Sequence, residues 1–134
     1  MSTQHALHIA AFYSALHILF FVALSLWVVR ERTARKIGLG TGDDPEFTRL
    51  VRMHGHTAEY LAPILALLVL FVVLDIGTLA THLFGAVTLL GRVMHSAGLH
   101  KSPYRTLGRL GGMVLIMGAL IIGSLAILII PLAR

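Results

Sequence analysis

Cysteine is absent from this chain. That excludes a disulfide scaffold, a thiolate zinc site and a cysteine nucleophile, so any thiol chemistry must use a thiol carried by a ligand. Charge is scarce as well: Asp, Glu, Lys and Arg make up 13% of the 134 residues, where a soluble domain has about 25%. Acids are the scarcest, six against eleven Lys and Arg, a net charge of +5. What fills the chain instead is apolar, 57% of all residues, well above the roughly 45–50% of soluble domains. A soluble fold is excluded on these grounds. The length suits a single domain.

The apolar residues fall in runs. Residues 1–29 carry no Asp, Glu, Lys or Arg, and Ala6 to Val29 alone supplies 24 residues, against about 20 needed to cross a ~30 Å hydrocarbon core. No Lys or Arg precedes this run and RERTARK follows it, so a retained span is expected and not a cleaved signal peptide. Tyr60 to Leu74, Ile76 to His100 (with Arg92 its one Lys or Arg) and Leu110 to Ala133 follow. The expected architecture is all-α, an integral membrane four-helix bundle forming one domain over residues 1–134, with spans at about 6–29, 47–74, 76–98 and 106–131.

Charge placement argues for the membrane and against a nucleic-acid partner. Ten of the eleven Lys and Arg lie in or beside the first-to-second connection (Arg30, Arg32, Arg35, Lys36, Arg49, Arg52) or the third-to-fourth connection (Arg92, Lys101, Arg105, Arg109); the eleventh is Arg134. The positive-inside rule then makes both connections cytoplasmic and both termini external. KIGLGTGDDPEF has Gly38, Gly40 and Gly42 but no GK[ST], so it reads as a flexible linker and not a phosphate loop. Asp44, Pro45 and Glu46 have the chemistry of an N-cap, a first-turn proline and an acid beside the positive helix end. The second helix should begin there and overhang the membrane on the cytoplasmic side.

That overhang holds the densest polar cluster. Arg49, Arg52, His56, Glu59 and Pro63 recur at +3, +4, +3, +4, which places them on one helix face, while His54 points elsewhere. Counting back from Leu74 puts Glu59 about 6 Å inside the membrane boundary, and Arg92 on the third helix reaches a similar depth, so a Glu59–Arg92 ion pair is expected. Pro63 cannot donate to the carbonyl of Glu59, and a kink is expected there. The bland alternative for Arg49 and Arg52 is interfacial snorkelling. His95 lies one turn from Arg92, and Tyr104, Arg105 and Arg109 follow, with Arg105 opening the fourth helix after Pro103. An anion there would meet a guanidinium and a positive helix end. His54 and His56 are about 200° apart on a helix, so no metal site is expected. His5, His8, His17 and His82 read as interfacial or packing residues, and Tyr13 and Trp27 as lipid-facing or belt aromatics. Small residues along the fourth helix, Gly108 and Gly112 foremost, suit close helix approach either within one chain or between chains.

These residues resemble the membrane-associated proteins in eicosanoid and glutathione metabolism. That family's second-helix pattern is Arg-x-x-x-Asn-x-x-Glu with a proline four residues after the Glu, and an arginine starts its fourth helix; here the positions read Arg52, His56, Glu59, Pro63 and Arg105. GRVMH, Gly91 to His95, is similar to the third helix of the microsomal prostaglandin E synthase branch, and the short loops look like those of bacterial members. The resemblance departs at His56, where the family usually has Asn, and at Leu99, where many eicosanoid enzymes have a glutathione-contacting Tyr. It implies a homotrimer in a bacterial inner membrane, in contact with lipid, with glutathione in a cytoplasm-facing pocket between subunits and a lipophilic small molecule entering from the bilayer. Arg49, Arg52, His56, Glu59, Arg92, His95 and Tyr104 would bind the peptide, and Arg105 would be catalytic, holding the thiolate. The expected function is therefore a glutathione-dependent transferase, or related peroxidase or isomerase chemistry. The alternative is a non-catalytic lipid- or glutathione-binding scaffold, which the thiolate-stabilising Arg105 disfavours.

Overall fold

A computed structural model describes residues 2–102, 104–130 and 132. Four helices follow one another: α1 (Ser2–Ala34), α2 (Pro45–Val73), α3 (Thr78–Lys101) and α4 (Leu107–Ile129). No strand occurs among the described residues. Pro103 and the end of the expected fourth span, with Pro131, Ala133 and Arg134, lie outside the described residues.

α3 is the central element, touching all three other helices. Helices α1, α2 and α4 are long and apolar enough to cross a membrane. α3 has comparable length but buries Thr81, Thr88, Arg92, His95 and Ser96, so its composition alone does not mark it as a span. Packing explains this: the polar residues face the other three helices, where Thr81 and Thr88 return their hydroxyls to the carbonyls of Gly77 and Phe84 at 3.0 and 2.8 Å, while Leu79, Leu83, Leu90 and Val93 face outward. The lipid-facing surface carries the large apolar side chains instead, among them Leu19, Leu26, Ile121 and Ile122.

Two apolar clusters bracket a polar layer. One joins Ala6, Ala10 and Tyr13 of α1 to Ile64, Leu68 and Phe71 of α2 and Phe84 of α3. The other, near the connections, joins Leu24, Phe47, Leu50, Met53 and Leu99. Between them in chain order on each helix come His17, then His56 and Tyr60, then Arg92 and His95. Tyr13 belongs to the core and not to a lipid-facing belt, because its ring is buried and its hydroxyl meets His82 Nδ1 at 3.2 Å.

The start of α2 follows its local chemistry. Asp44 accepts from the backbone N–H groups of Glu46 and Phe47 at 2.9 and 3.0 Å, and Pro45 takes the first helical position. The preceding connection is pinned and is no flexible linker. Arg35 binds Glu31, Asp44 (2.8 Å) and Glu46 (3.3 Å), and Arg32 donates to the carbonyls of Ile37 and Gly40. The Phe47 N–H and then Arg35 hold the Asp44 carboxyl below its ordinary range. A carboxyl depressed by folding stabilises above its unfolded pKa, and that contribution is lost as pH falls through the lower folded value. Asp44→Ala is accordingly expected to speed amide exchange in the first turn of α2 at neutral pH, with the difference from wild type shrinking as the carboxyl is protonated in acid.

α3 and α4 meet at glycines. A Cβ on Gly112 would lie 2.5 Å from both Gly91 O and His95 N, and one on Gly108 would lie 3.2 Å from Met94 O. These small residues are therefore used inside the chain, which settles the choice between packing within and between subunits at both positions. Gly112→Val is expected to cost at least about 1–3 kcal/mol by overpacking. Gly118→Ala, whose Cβ meets nothing within 4 Å, should be neutral or gain about 0.5–1 kcal/mol from helix propensity. Thermal unfolding in detergent compares the two; equal losses would contradict the glycine contact.

Candidate functional site

The polar face of α2 alternates between half-buried and open positions. Arg49 and His56 are partly buried, whereas Arg52 and Glu59 are exposed. One turn apart, Arg52 Nη2 donates to His56 Nε2 at 3.3 Å, and three residues on, Glu59 Oε2 stands 3.9 Å from His56 Nδ1. His54 turns to α1, meeting Ser25 Oγ at 2.9 Å and stacking on Phe21. Arg52, His56 and Glu59 thus form one interacting strip with His56 at its centre.

Behind it sits Arg92, 1% exposed. Its Nη1 donates to the His56 carbonyl at 3.2 Å, and its guanidinium lies 5.0 Å from the centre of the Tyr60 ring. The expected Glu59–Arg92 ion pair is absent among the described residues. Arg92 reaches α2 at the level of His56, one turn from Glu59, but Glu59 turns outward with 57% of its side chain exposed. Tyr60 and the His56 carbonyl occupy the face that Arg92 reaches. A buried guanidinium held by a carbonyl and a ring edge or face, with no carboxylate, keeps most of its desolvation cost.

Several polar atoms in this layer are buried without a hydrogen-bond partner: Arg92 Nη2, Arg49 Nε, His56 Nδ1, His95 Nε2, Ser96 Oγ and His17 Nε2. Geometry fixes the imidazole roles. Arg109 O can only accept, so His95 Nδ1, at 3.0 Å, donates to it and Nε2 is left as a lone pair in the neutral ring. A guanidinium can only donate, so His56 Nε2 accepts from Arg52 and its proton resides on Nδ1, toward Glu59. The two rings lie 5.2 Å apart. The layer therefore offers guanidinium N–H donors, one carboxylate and two basic ring nitrogens, a set suited to a ligand with several anionic groups, an ammonium and a titratable proton.

The α3–α4 connection contributes less than expected. Tyr104 is 80% exposed, with its backbone N–H donated to Ser102 Oγ at 3.2 Å. Arg105 is exposed and does not open α4: Thr106 is the N-cap, accepting from Arg109 N at 3.1 Å, and α4 starts at Leu107. Arg105 stands one residue before the cap, and neither its side chain nor that of Tyr104 bonds to the α2–α3 cluster among the described residues. The preceding Pro103, which framed that expectation, lies outside the described residues. Tyr60, the Arg109 carbonyl, Ser96 and His17 enter the polar layer without having been singled out as site residues. Tyr60 and Ser96 have a signal in their four-residue spacing from His56 and Arg92; His17 and the Arg109 carbonyl have none, because only helix packing brings them there.

A sequence model of the MAPEG family matches residues 10–129. The chain belongs to the MAPEG family. Relatives in the family include the inner membrane protein YecN of Escherichia coli, 35% identical over 98 residues, covering 72% of this chain and 74% of that one. Uncharacterized protein sll1147 of Synechocystis is 33% identical over 119 residues, covering 83% and 85%. Membership and the apolar helices make this a multi-pass integral membrane protein. At the two departures from the family pattern, His56 stands inside the strip just described, whereas Leu99 is 4% exposed and packs into the apolar cluster with Leu24 and Phe47. This MAPEG chain uses the Leu99 position for its core.

Proposed function

We propose that this protein is a glutathione-dependent membrane transferase, in which the glutathione thiolate attacks a lipophilic electrophile that enters from the bilayer. The observation that carries the reading is the buried Arg92, with Nη2 unpartnered and no carboxylate beside it among the described residues, behind a strip of partly buried Arg49 and exposed Arg52 and Glu59. Glutathione has two carboxylates, one ammonium and one thiol. The arginines match its carboxylates, Glu59 matches its ammonium, and Arg105 at the approach to α4 is assigned to the thiolate. The strip is open on one side of a single chain, and closure by a second copy in a homotrimer supplies the missing wall. Purified protein titrated with glutathione by calorimetry, then assayed with an aryl halide, tests the reading. Saturable binding with conjugation is the expected result. Binding without turnover would favour the scaffold alternative, and no binding would end both glutathione readings.

We further propose that the strip faces the cytoplasm of a bacterium and that both termini are external. The ten described Lys and Arg all lie on the half of the bundle carrying the α1–α2 and α3–α4 connections, where the positive-inside rule places the cytoplasm. A C-terminal alkaline phosphatase fusion is expected to be active and a C-terminal green fluorescent protein fusion dark; the opposite pattern would invert the topology.

A further inference from the structure

His56 sits where a base is needed. Its Nδ1–H faces the Glu59 carboxylate at 3.9 Å, and its Nε2 lone pair is directed at Arg52, 3.3 Å away, on the open side of α2. A carboxylate near one ring nitrogen, and on the other a lone pair held only by an exposed arginine that a ligand anion can draw away, is an arrangement from which an imidazole can take a proton once ligand is bound. Such contacts are commonly long before ligand binds and tighten afterwards. His95 has the same internal logic, Nδ1–H donated to Arg109 O, but it lies behind the strip on α3 beside Arg92, whereas His56 lies in the strip itself. Of the two facing imidazoles, His56, with 18% of its side chain exposed, is the one a ligand on the strip can reach. The charged and titratable groups acting on it are Arg52, Glu59 and Tyr60 of its own helix, Arg92 and His95 of α3, and Arg109 of α4.

We infer that His56 is the general base that deprotonates the ligand thiol, with Glu59 as its positioning residue. The inference rests on the glutathione reading above and goes beyond it, since that reading asks of His56 only a hydrogen bond. A ligand carboxylate draws Arg52 off His56 Nε2. The thiol proton then moves to Nε2 while the S–H electron pair stays on sulfur. The imidazolium so formed, with both nitrogens protonated, is balanced by Glu59 and the thiolate is held by arginine. When the thiolate has displaced a leaving group, the proton passes from Nε2 to that group or to water and neutral His56 is restored. An asparagine at this position could hold the peptide but could not accept the proton.

The test is a proton count on binding. Glutathione is titrated into the purified trimer or monomer near pH 7 in two buffers of different ionisation enthalpy, with thiolate followed by its absorbance near 240 nm. Wild type is expected to form thiolate with almost no proton released, and His56→Asn and His56→Gln to release about one proton for each thiolate that forms. Wild type releasing about one proton per thiolate, or both variants behaving like wild type, would overturn the role of His56 and leave the glutathione reading intact. Binding by wild type without thiolate would overturn it too. No binding by wild type would remove the reading and this inference together. Should both variants fail to bind, histidine carbon-13 spectra of wild type decide: one imidazole becoming imidazolium at saturation supports the transfer, and none doing so contradicts it.

Discussion

Arg92→Met is expected to weaken glutathione binding by about 10- to 100-fold while leaving the unfolding temperature of the ligand-free protein unchanged or higher. The loss follows from the value of a hydrogen bond to a charged group, about 1.5–3 kcal/mol, with each 1.4 kcal/mol worth tenfold in affinity. The stability expectation comes from the same buried guanidinium. Arg92 has one bond to the His56 carbonyl and one aromatic neighbour in Tyr60, and replacing an incompletely paired buried ion by an apolar side chain of similar length is often neutral or stabilising. Calorimetry and thermal unfolding in detergent separate the two effects. A loss of about 3–5 kcal/mol in stability, the cost of breaking a paired buried charge, would show that Arg92 has a structural partner and is not held in readiness for a ligand.

The contrast between Arg92 and Glu59 shows how far the sequence carries. Relative level along neighbouring helices follows from counting at a fixed rise, and Arg92 does meet α2 one turn from Glu59, at the His56 carbonyl. The angle around the axis is set by packing. Glu59 turns outward because its neighbour Tyr60 and the His56 carbonyl take the inward face, and no spacing rule states which of two adjacent residues a third helix will meet. The start of α2 was legible because its causes are local: Asp44, Pro45 and Glu46 act within one turn. The pinned connection was not, since Arg35 joins acids drawn from both flanking helices. Glycine spacing on α4 announced a close approach without naming the partner, which proved to be α3 of the same chain at Gly91 and Met94. α3 itself is the plainest case. Its polar residues lower its hydropathy because they lie on the face that the other helices cover, while Leu79, Leu83, Leu90 and Val93 stay exposed, and burial of one face is what sequence does not record.

Arg105→Ala is expected to cut conjugation strongly, with little change in glutathione affinity. A free thiol near pKa 8.5 must fall by roughly two units to be mainly thiolate at neutral pH, which is about 2.7 kcal/mol of preferential stabilisation. One charge-assisted hydrogen bond from a guanidinium supplies energy of that order. In ligand-free protein Arg105 is exposed in the connection just before the Thr106 cap, with its side chain open to solvent, and the N–H groups of the first turn of α4 add the same sign of potential. Removing it should lower the rate by about 100-fold and shift the thiolate titration of the bound ligand upward by up to about two units. Arg52→Ala and Glu59→Ala should weaken binding first. An unchanged thiolate titration in Arg105→Ala would take thiol activation away from this residue.

The central claim, that the polar layer between α2 and α3 holds glutathione, is tested most directly by calorimetric titration of glutathione into folded wild type and Arg92→Met side by side. Saturable binding by wild type that is lost or weakened at least tenfold in a fully folded Arg92→Met is the predicted result. Wild type that does not bind glutathione, or an Arg92→Met protein that binds it as tightly as wild type, would contradict the assignment of that layer to the peptide.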